Sequence, residues 1–468
     1  MRDPEGDPVQ TVDVWLWTTV APLLSVFIVF FFTVLDPFDF ESATKRQSAK
    51  LFYKIYATLY PTTSRDKITI VRLDDYTLSH WEPPQSWPPS HAVHGRILLD
   101  ILKYKPAAVF VDMYFREHAA DEFEHTATAI REYAKQKVPL FLVAAGPTSQ
   151  APAPARKEVL LLSEDPTLAL RLVSAQVDAE PGEIPIYPLY GDDGRESAAL
   201  ALYQAFCKTN QSDAKCEPIP DPESVEPMEV VWGLQPAKAN CDNALGTDDS
   251  RWCSDVSSNP LVRLVQLFIA ALIPKEWRPL DPMRIEYHAT IAADDVMDGG
   301  QQARLGPLLT GKIVLYGAHI ALLPDKISSP VHGEIDGIYI HAMALDNLMT
   351  FGRDYVHQAP GRDAFRKPWT EFQPTLLMAM LSVLVIRNRR KLLADPKLRK
   401  APHELLAADE MYLRRARWVL TLAIIVLGLL EYFVWHYSPL NWLGLIVVVH
   451  IAHWIEKRFV RRIHAVAG

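Results

Sequence analysis

The chain has 468 residues, 49% of them hydrophobic and 22% charged, with a formal charge of −8; that is length enough for two or three domains. The average resembles an ordinary globular protein, but the apolar residues gather at the two ends, and 36 prolines against 20 glycines point to long, stiff loops. An acidic balance is a poor match for nucleic acid or other anionic polymers, and that class of partner is excluded.

Residues 1–13 are acidic, with Asp3, Glu5, Asp7 and Asp13 against Arg2, and residues 14–35 carry no charge at all. That run exceeds the ~20 residues needed to cross a bilayer. The acidic start, the length of the run and the lack of a small-residue cleavage site argue for a retained first span over a secretory signal.

Residues 36–371 read as one large domain. Phe40 to Tyr60 has helical spacing and is expected to continue the first span as a stalk. Lys67 to Leu73 reads as a strand that stops at Asp74 and Asp75. A Pro-rich loop carrying Trp81 and Trp87 follows, and Ser90 is placed to cap a helix through Ile97, Leu98, Ile101 and Leu102. Ala107 to Val111 is an apolar strand ending at Asp112, Ala127 to Gln136 a helix, and Pro139 to Ala144 another buried strand. Apolar strands alternating with helices predict a parallel, helix-covered sheet.

The middle reads less regularly. Ile184 to Leu189 and Ile285 to Ile291 are expected strands, Glu196 to Cys207 and Asn259 to Ile273 expected helices, and Cys207 to Cys253 a loop-rich insertion. Gly311 to Met349 then forms a unit expected to close the sheet. Its parts are a strand from Lys312 to Tyr316, a polar loop with Asp325 and Lys326, and a helix on which Ile338, His341, Leu345 and Leu348 recur. Loops at the carboxyl ends of such strands are where open α/β sheets bind ligands. The same helix is expected to join the domain, through Phe351 to Trp369, to the second span.

Three further spans are expected at 372–386, 418–437 and 441–455. Between the first two of these, residues 387–417 hold ten Lys and Arg, and the tail 456–468 adds four more. The positive-inside rule puts that loop and both termini in the cytoplasm, and 36–371 in the periplasm or outside the cell. Formal charges of −3 on 1–13, +6 on 387–417, +3 on the tail and −1 on Glu431 leave about −13 for the outer part. All four cysteines, Cys207, Cys216, Cys241 and Cys253, fall in that part, where disulfides form. The local pairs Cys207–Cys216 and Cys241–Cys253 would close short loops; a zinc site is the rival, without a C-x-x-C to support it. The fold class expected is therefore an α/β extracytoplasmic domain, a mostly parallel, helix-covered sheet with a loop-rich disulfide insertion, plus an α-helical membrane region of four spans.

Several residues carry candidate roles. Asp74, Asp75, Asp112 and Asp325 lie just past apolar strands, with His341 on the following helix, and could converge on a cation or basic ligand group. The plain alternative is that they cap helices and fasten turns. Trp87, with Trp81, Trp252, His80, His91 and His94, could line a pocket or plug the domain's own core. Glu431 lies inside a span, where an ionisable group by default suggests function, and His450 could meet it across the hairpin. No Ser-His-Asp order, Walker loop or H-E-x-x-H occurs. No enzyme activity, metal or cofactor is expected.

KITIVRLDDYTL, the Trp87-Pro88 pair before a helix, KPAAVFVDMYF, GKIVLYG, the Asp325 to Pro330 loop and GIYIHAMALDNLM occur in an order that resembles the type-two CHASE domain, an extracellular sensor associated with cyclases and histidine kinases. One span before the domain and three after it are similar to that family's layout. Here Pro89, Ser90 and His91 follow the Trp-Pro pair where the family carries a basic residue. The resemblance implies a sensor or signalling subunit in the bilayer whose outer domain binds a ligand or partner. It also implies a cytoplasmic output domain, which the sequence lacks after residue 455, so a separate effector is the expected partner. The alternatives are a structural subunit that packs into a homo-oligomer or filament, and a transport accessory that uses Glu431.

Overall fold

In the computed structural model the chain divides into two compact units, residues 1–50 with 358–468, and residues 51–357. The structure describes residues 15–468 apart from 35–39, 116–122, 145–155, 179–184, 211–214, 220–224, 244–261, 263–285, 322, 324, 358–360, 363–366, 369–372, 400–401, 439–440, 442–443, 453, 456–457 and 459–468. The helices used below are α1 (Ala21–Val34), α2 (Phe40–Ala57), α3 (His91–Leu102), α4 (Phe123–Lys135), α5 (Ala198–Thr209), α6 (Gly337–Phe351), α7 (Gln373–Ala394) and α8 (Pro402–Phe433).

Runs that are apolar without alternation become strands covered on both faces. In the 51–357 unit β2 (Ala108–Asp112), β3 (Leu140–Val143) and β6 (Ile313–His319) are such strands, and β1 (Ile68–Asp74), β4 (Leu170–Val173) and β5 (Ala289–Ala292) lie beside them. They form one sheet in the order β4-β3-β2-β6-β1-β5, and every pair is parallel. Val71, Leu73, Val109, Val111, Val314 and Tyr316 point to one face, into a core shared with α3 and α4. The two helices approach closely at Gly95, where a Cβ would lie 2.6 Å from the His125 carbonyl. On the opposite face α5 lies over β2 and β3 and α6 over β1 and β6.

The parallel, helix-covered sheet is as expected, with three differences of detail. The unit at Gly311 does not close the sheet: β6 pairs with both β1 and β2 in its centre. Its fully apolar residues Ile313 to Tyr316 are wholly buried there, whereas an edge would expose them. β4, LRLV, escaped notice because Arg171 gives it the alternation of a half-exposed edge strand. Among the described residues of the expected strand from Ile184 to Leu189, only Ile186–Tyr187 forms a strand, and it pairs with Met228–Glu229 outside the main sheet. The loop between β6 and α6 also holds an antiparallel hairpin, β7 (Lys326–Ser329) with β8 (Gly333–Asp336). Gly333 takes the positive φ of +75° that this turn requires.

Cys207 and Cys216 form a disulfide, and Cys241 is also disulfide-bonded. Cys253 and Trp252 lie outside the described residues, as does the helix expected at Asn259 to Ile273 apart from Val262.

The other unit is mostly helical. A π-helical turn, Leu16–Val20, leads into α1, and α7, α8 and a helix at residues 444–452 pack with it, beside a short antiparallel pair, Gly361–Arg362 with Lys367–Pro368. Val29, Met378, Ile424 and Val449, one from each of these helices, pack into a single core. Among the described residues one helix, Glu404–Phe433, is long and apolar enough to cross a membrane, and Leu16–Phe32 is a shorter apolar helix. Much of the basic stretch 387–417 is helical, because α7 continues to Ala394 and α8 starts at Pro402. Its Leu, Ala, Glu, Lys and Arg are all good helix formers.

Candidate ligand pocket

The parallel sheet places the ends of β2 and β6 side by side, and three of the expected rim residues meet there. His341, on the first turns of α6, has its Nε2 3.7 Å from Asp112 Oδ1, and its Nδ1 is hydrogen-bonded to the Tyr187 hydroxyl at 2.7 Å. Asp325 accepts a hydrogen bond from the Gly337 amide at 3.1 Å through its carbonyl. Its carboxyl sits 2.3 Å from where a Cβ on Gly337 would stand, so a larger residue at the start of α6 would displace the Asp325 side chain. Burial pushes the Asp112 carboxyl up to about 7. Burial, and then the charge of Asp112, push Asp325 up to about 6, while burial holds His341 down at about 4. Burial thus favours the neutral form of each of the three groups. Among the described residues no group of three or more His, Cys, Asp or Glu is placed to hold a metal ion.

The other expected residues are engaged elsewhere. Asp74 caps the short helix Asp75–His80, accepting from the Thr77 amide and hydroxyl at 2.8 Å each. Asp75 accepts from the Ala321 amide at 3.0 Å. Trp87 and Trp81 are half-buried against the core under α3, and His94 is buried with its Nδ1 3.0 Å from the Tyr316 hydroxyl. In the helical unit Glu431 is fully buried. His450 is exposed and bonds the Ile446 carbonyl of its own helix through Nδ1 at 2.8 Å, so it does not meet Glu431. Arg389, one of the ten basic residues that set the expected topology, is 1% exposed and paired with Asp409, its Nη2 3.0 Å from Oδ2.

Tyr339 is two residues before His341 on α6 and so faces about 200° away from it. It lines a different feature, a cavity of about 240 Å³. Trp232, Tyr287, Tyr339 and Met343 supply aromatic and apolar wall, and Ile335 adds to it. The polar lining comes from Glu286 and His288, from His319 at the end of β6, and from Lys326, Glu334 and Asp336 on the hairpin, with His332 in its turn. Asp336 accepts from His319 and from Lys326. Burial alone would raise its carboxyl, but those hydrogen bonds outweigh it and hold Asp336 below the usual range. Glu286 is 3.3 Å from Arg72. His332 Nε2 lies 2.8 Å from the Gly233 carbonyl.

One wall residue leads into the interior. His288 Nε2 is 3.2 Å from Asp346 Oδ2, and both residues are wholly buried. Asp346 Oδ1 accepts from the Tyr60 hydroxyl at 2.7 Å and the Thr350 hydroxyl at 3.1 Å. Asn347 donates to the Tyr60 oxygen at 3.0 Å. Burial, then the Asp346 charge, drive the Tyr60 phenol far above its ordinary value. This chain of hydrogen bonds links the cavity to Tyr60, three residues beyond the end of α2.

Sequence reasoning missed this cavity. Lys326 and the residues of α6 lie in a stretch that reads as one unit, but Trp232 and Glu286 to His288 lie far from it in the chain. No curated protein and no solved structure matches the chain. The family model of the CHASE2 domain matches residues 22–386, so the chain belongs to the CHASE2 family of extracellular sensory domains that its motifs resemble.

Proposed function

We propose that this chain is a membrane-anchored sensor subunit whose 51–357 domain binds a small molecule in the cavity beside α6 and relays the event to a separate effector protein. The observation that carries the reading is the cavity itself, joined through His288 and Asp346 to Tyr60. Buried polar networks have discrete arrangements, and a ligand that favours one of them shifts the balance. The reading assigns binding and relay to the chain, not catalysis.

Membrane anchoring is read from the surface of the helical unit. Phe27 on α1, Leu376 on α7, Trp418 and Leu422 on α8, and Trp454 are all exposed, while Val29, Met378 and Ile424 are buried between the helices. An apolar exterior of this extent suits lipid and not water. We read α1 with its π-helical turn, the apolar part of α7, α8 and the helix from 444 as the four spans, with the basic residues after the second span in the cytoplasm.

Extraction in mild detergent followed by native mass spectrometry tests the reading. A stoichiometric second chain carrying an output domain is the expected result. A large homo-oligomer that holds neither partner nor small molecule would overturn it in favour of a structural subunit.

A further inference from the structure

Building on that reading of the cavity, we infer that its ligand is a small organic cation, an ammonium group on an aromatic or aliphatic body. The volume comes first. An apolar cavity on the order of 150 Å³ already admits benzene, and this one measures about 240 Å³. A single ring with a short polar arm therefore fits.

The sign of the charge comes next. Three carboxylates line the cavity, Glu286, Glu334 and Asp336, against one ammonium, Lys326, and the guanidinium of Arg72 beside Glu286. Lys326 is held by Asp336, so an incoming anion would have to break that pair to reach the one ammonium in the lining. Glu334 is exposed and makes no ion pair among the described residues, which leaves a carboxylate ready for a cation. Trp232, Tyr287 and Tyr339 line the cavity, and aromatic rings attract ammonium groups and repel carboxylates at their faces. The outer part of the chain, at about −13, draws cations from a distance.

The test uses the full chain in lipid nanodiscs, with the heat of empty nanodiscs subtracted. Calorimetric titration at neutral pH compares three probes of one shape: phenethylammonium, phenethyl alcohol and phenylpropionate. The ammonium is expected to bind about tenfold more tightly than the alcohol, and the carboxylate most weakly. Glu334→Gln is expected to weaken the ammonium about threefold and leave the alcohol unchanged. Glu334 is exposed, so this variant folds, and its melting curve checks that.

Phenylpropionate binding as tightly as the ammonium, or Glu334→Gln leaving ammonium affinity unaltered, overturns the inference. A second variant separates this failure from that of the sensor reading. If the alcohol or carboxylate binds and Met343→Trp, which fills the cavity, abolishes it, the cavity is a ligand site and only its preference for cations is lost. If none of the three probes binds, the cation assignment falls together with the cavity's role in sensing.

Discussion

Asp112 shows how its surroundings set a residue's charge. A strand-end carboxylate reads as a ligand for cations, and burial raises this one's pKa to about 7, so it stays protonated through mildly acid pH. The fold therefore binds this proton more tightly than the unfolded chain does. Its stabilising contribution is complete below the unfolded value near 4 and is lost as pH rises through about 7. His341 runs the other way: with a folded value of about 4, its contribution is present above the ordinary value near 6.5 and is lost as pH falls through 4. Asp112→Asn keeps the shape of the neutral acid. It is expected to match the parent near pH 4 and to exceed it near pH 8 by on the order of 3 kcal/mol. Thermal melts across that range check this, and parallel curves for the two proteins would refute it. Asp74 illustrates the opposite outcome at the same scale. Thr77 follows it at N-cap spacing, and the capping role is the one it takes.

At the scale of elements, the pair Arg389–Asp409 ties three helical segments together. Arg389 is on α7 and Asp409 on α8, and Arg389 Nη1 donates to the Trp17 carbonyl at 2.7 Å in the π-helical turn. The guanidinium also stacks over the Trp17 ring at 5.1 Å. In the i→i+5 register the donor for the Trp17 carbonyl would be Pro22, which has no N–H, and Arg389 meets that carbonyl instead. Removing one partner strands a buried charge, so Arg389→Met is expected to cost about 3–5 kcal/mol. The double variant Arg389→Met with Asp409→Leu is expected to recover most of that. Melting of single and double variants in detergent gives the coupling; additive losses would show that the pair does not act as a unit. In the sequence Arg389 is one of ten basic residues in its stretch. Nothing local separates it from the others, because its burial depends on a turn more than 370 positions away.

At the scale of the molecule, the two units differ in chemistry as well as in fold. All four cysteines lie in 51–357, and the Cys207–Cys216 bridge closes a short loop after α5. Closing a loop of about ten residues stabilises by roughly 2–3 kcal/mol. Mild reduction is expected to lower the melting transition of this unit and leave that of the helical unit in place. Scanning calorimetry with and without reductant checks it, and a common shift of one single transition would contradict the division.

The sequence by itself determined the class of the sheet, the family and the apolar ends of the chain. These follow from local pattern: unalternating apolar runs, a strand-loop-helix unit and uncharged segments each report their own burial without reference to distant residues. It also marked Asp112, Asp325 and His341, since strand ends of a parallel sheet share one rim. Only the tertiary structure decided that β6 enters the middle of the sheet, that Arg389 is buried, and that Trp232, Tyr287 and His288 join Lys326 and Tyr339 around a cavity. The physical reason is common to all three. Strand neighbours, ion pairs and cavity walls are contacts between segments far apart in the chain, fixed by how preformed elements pack and not by any pattern within one of them.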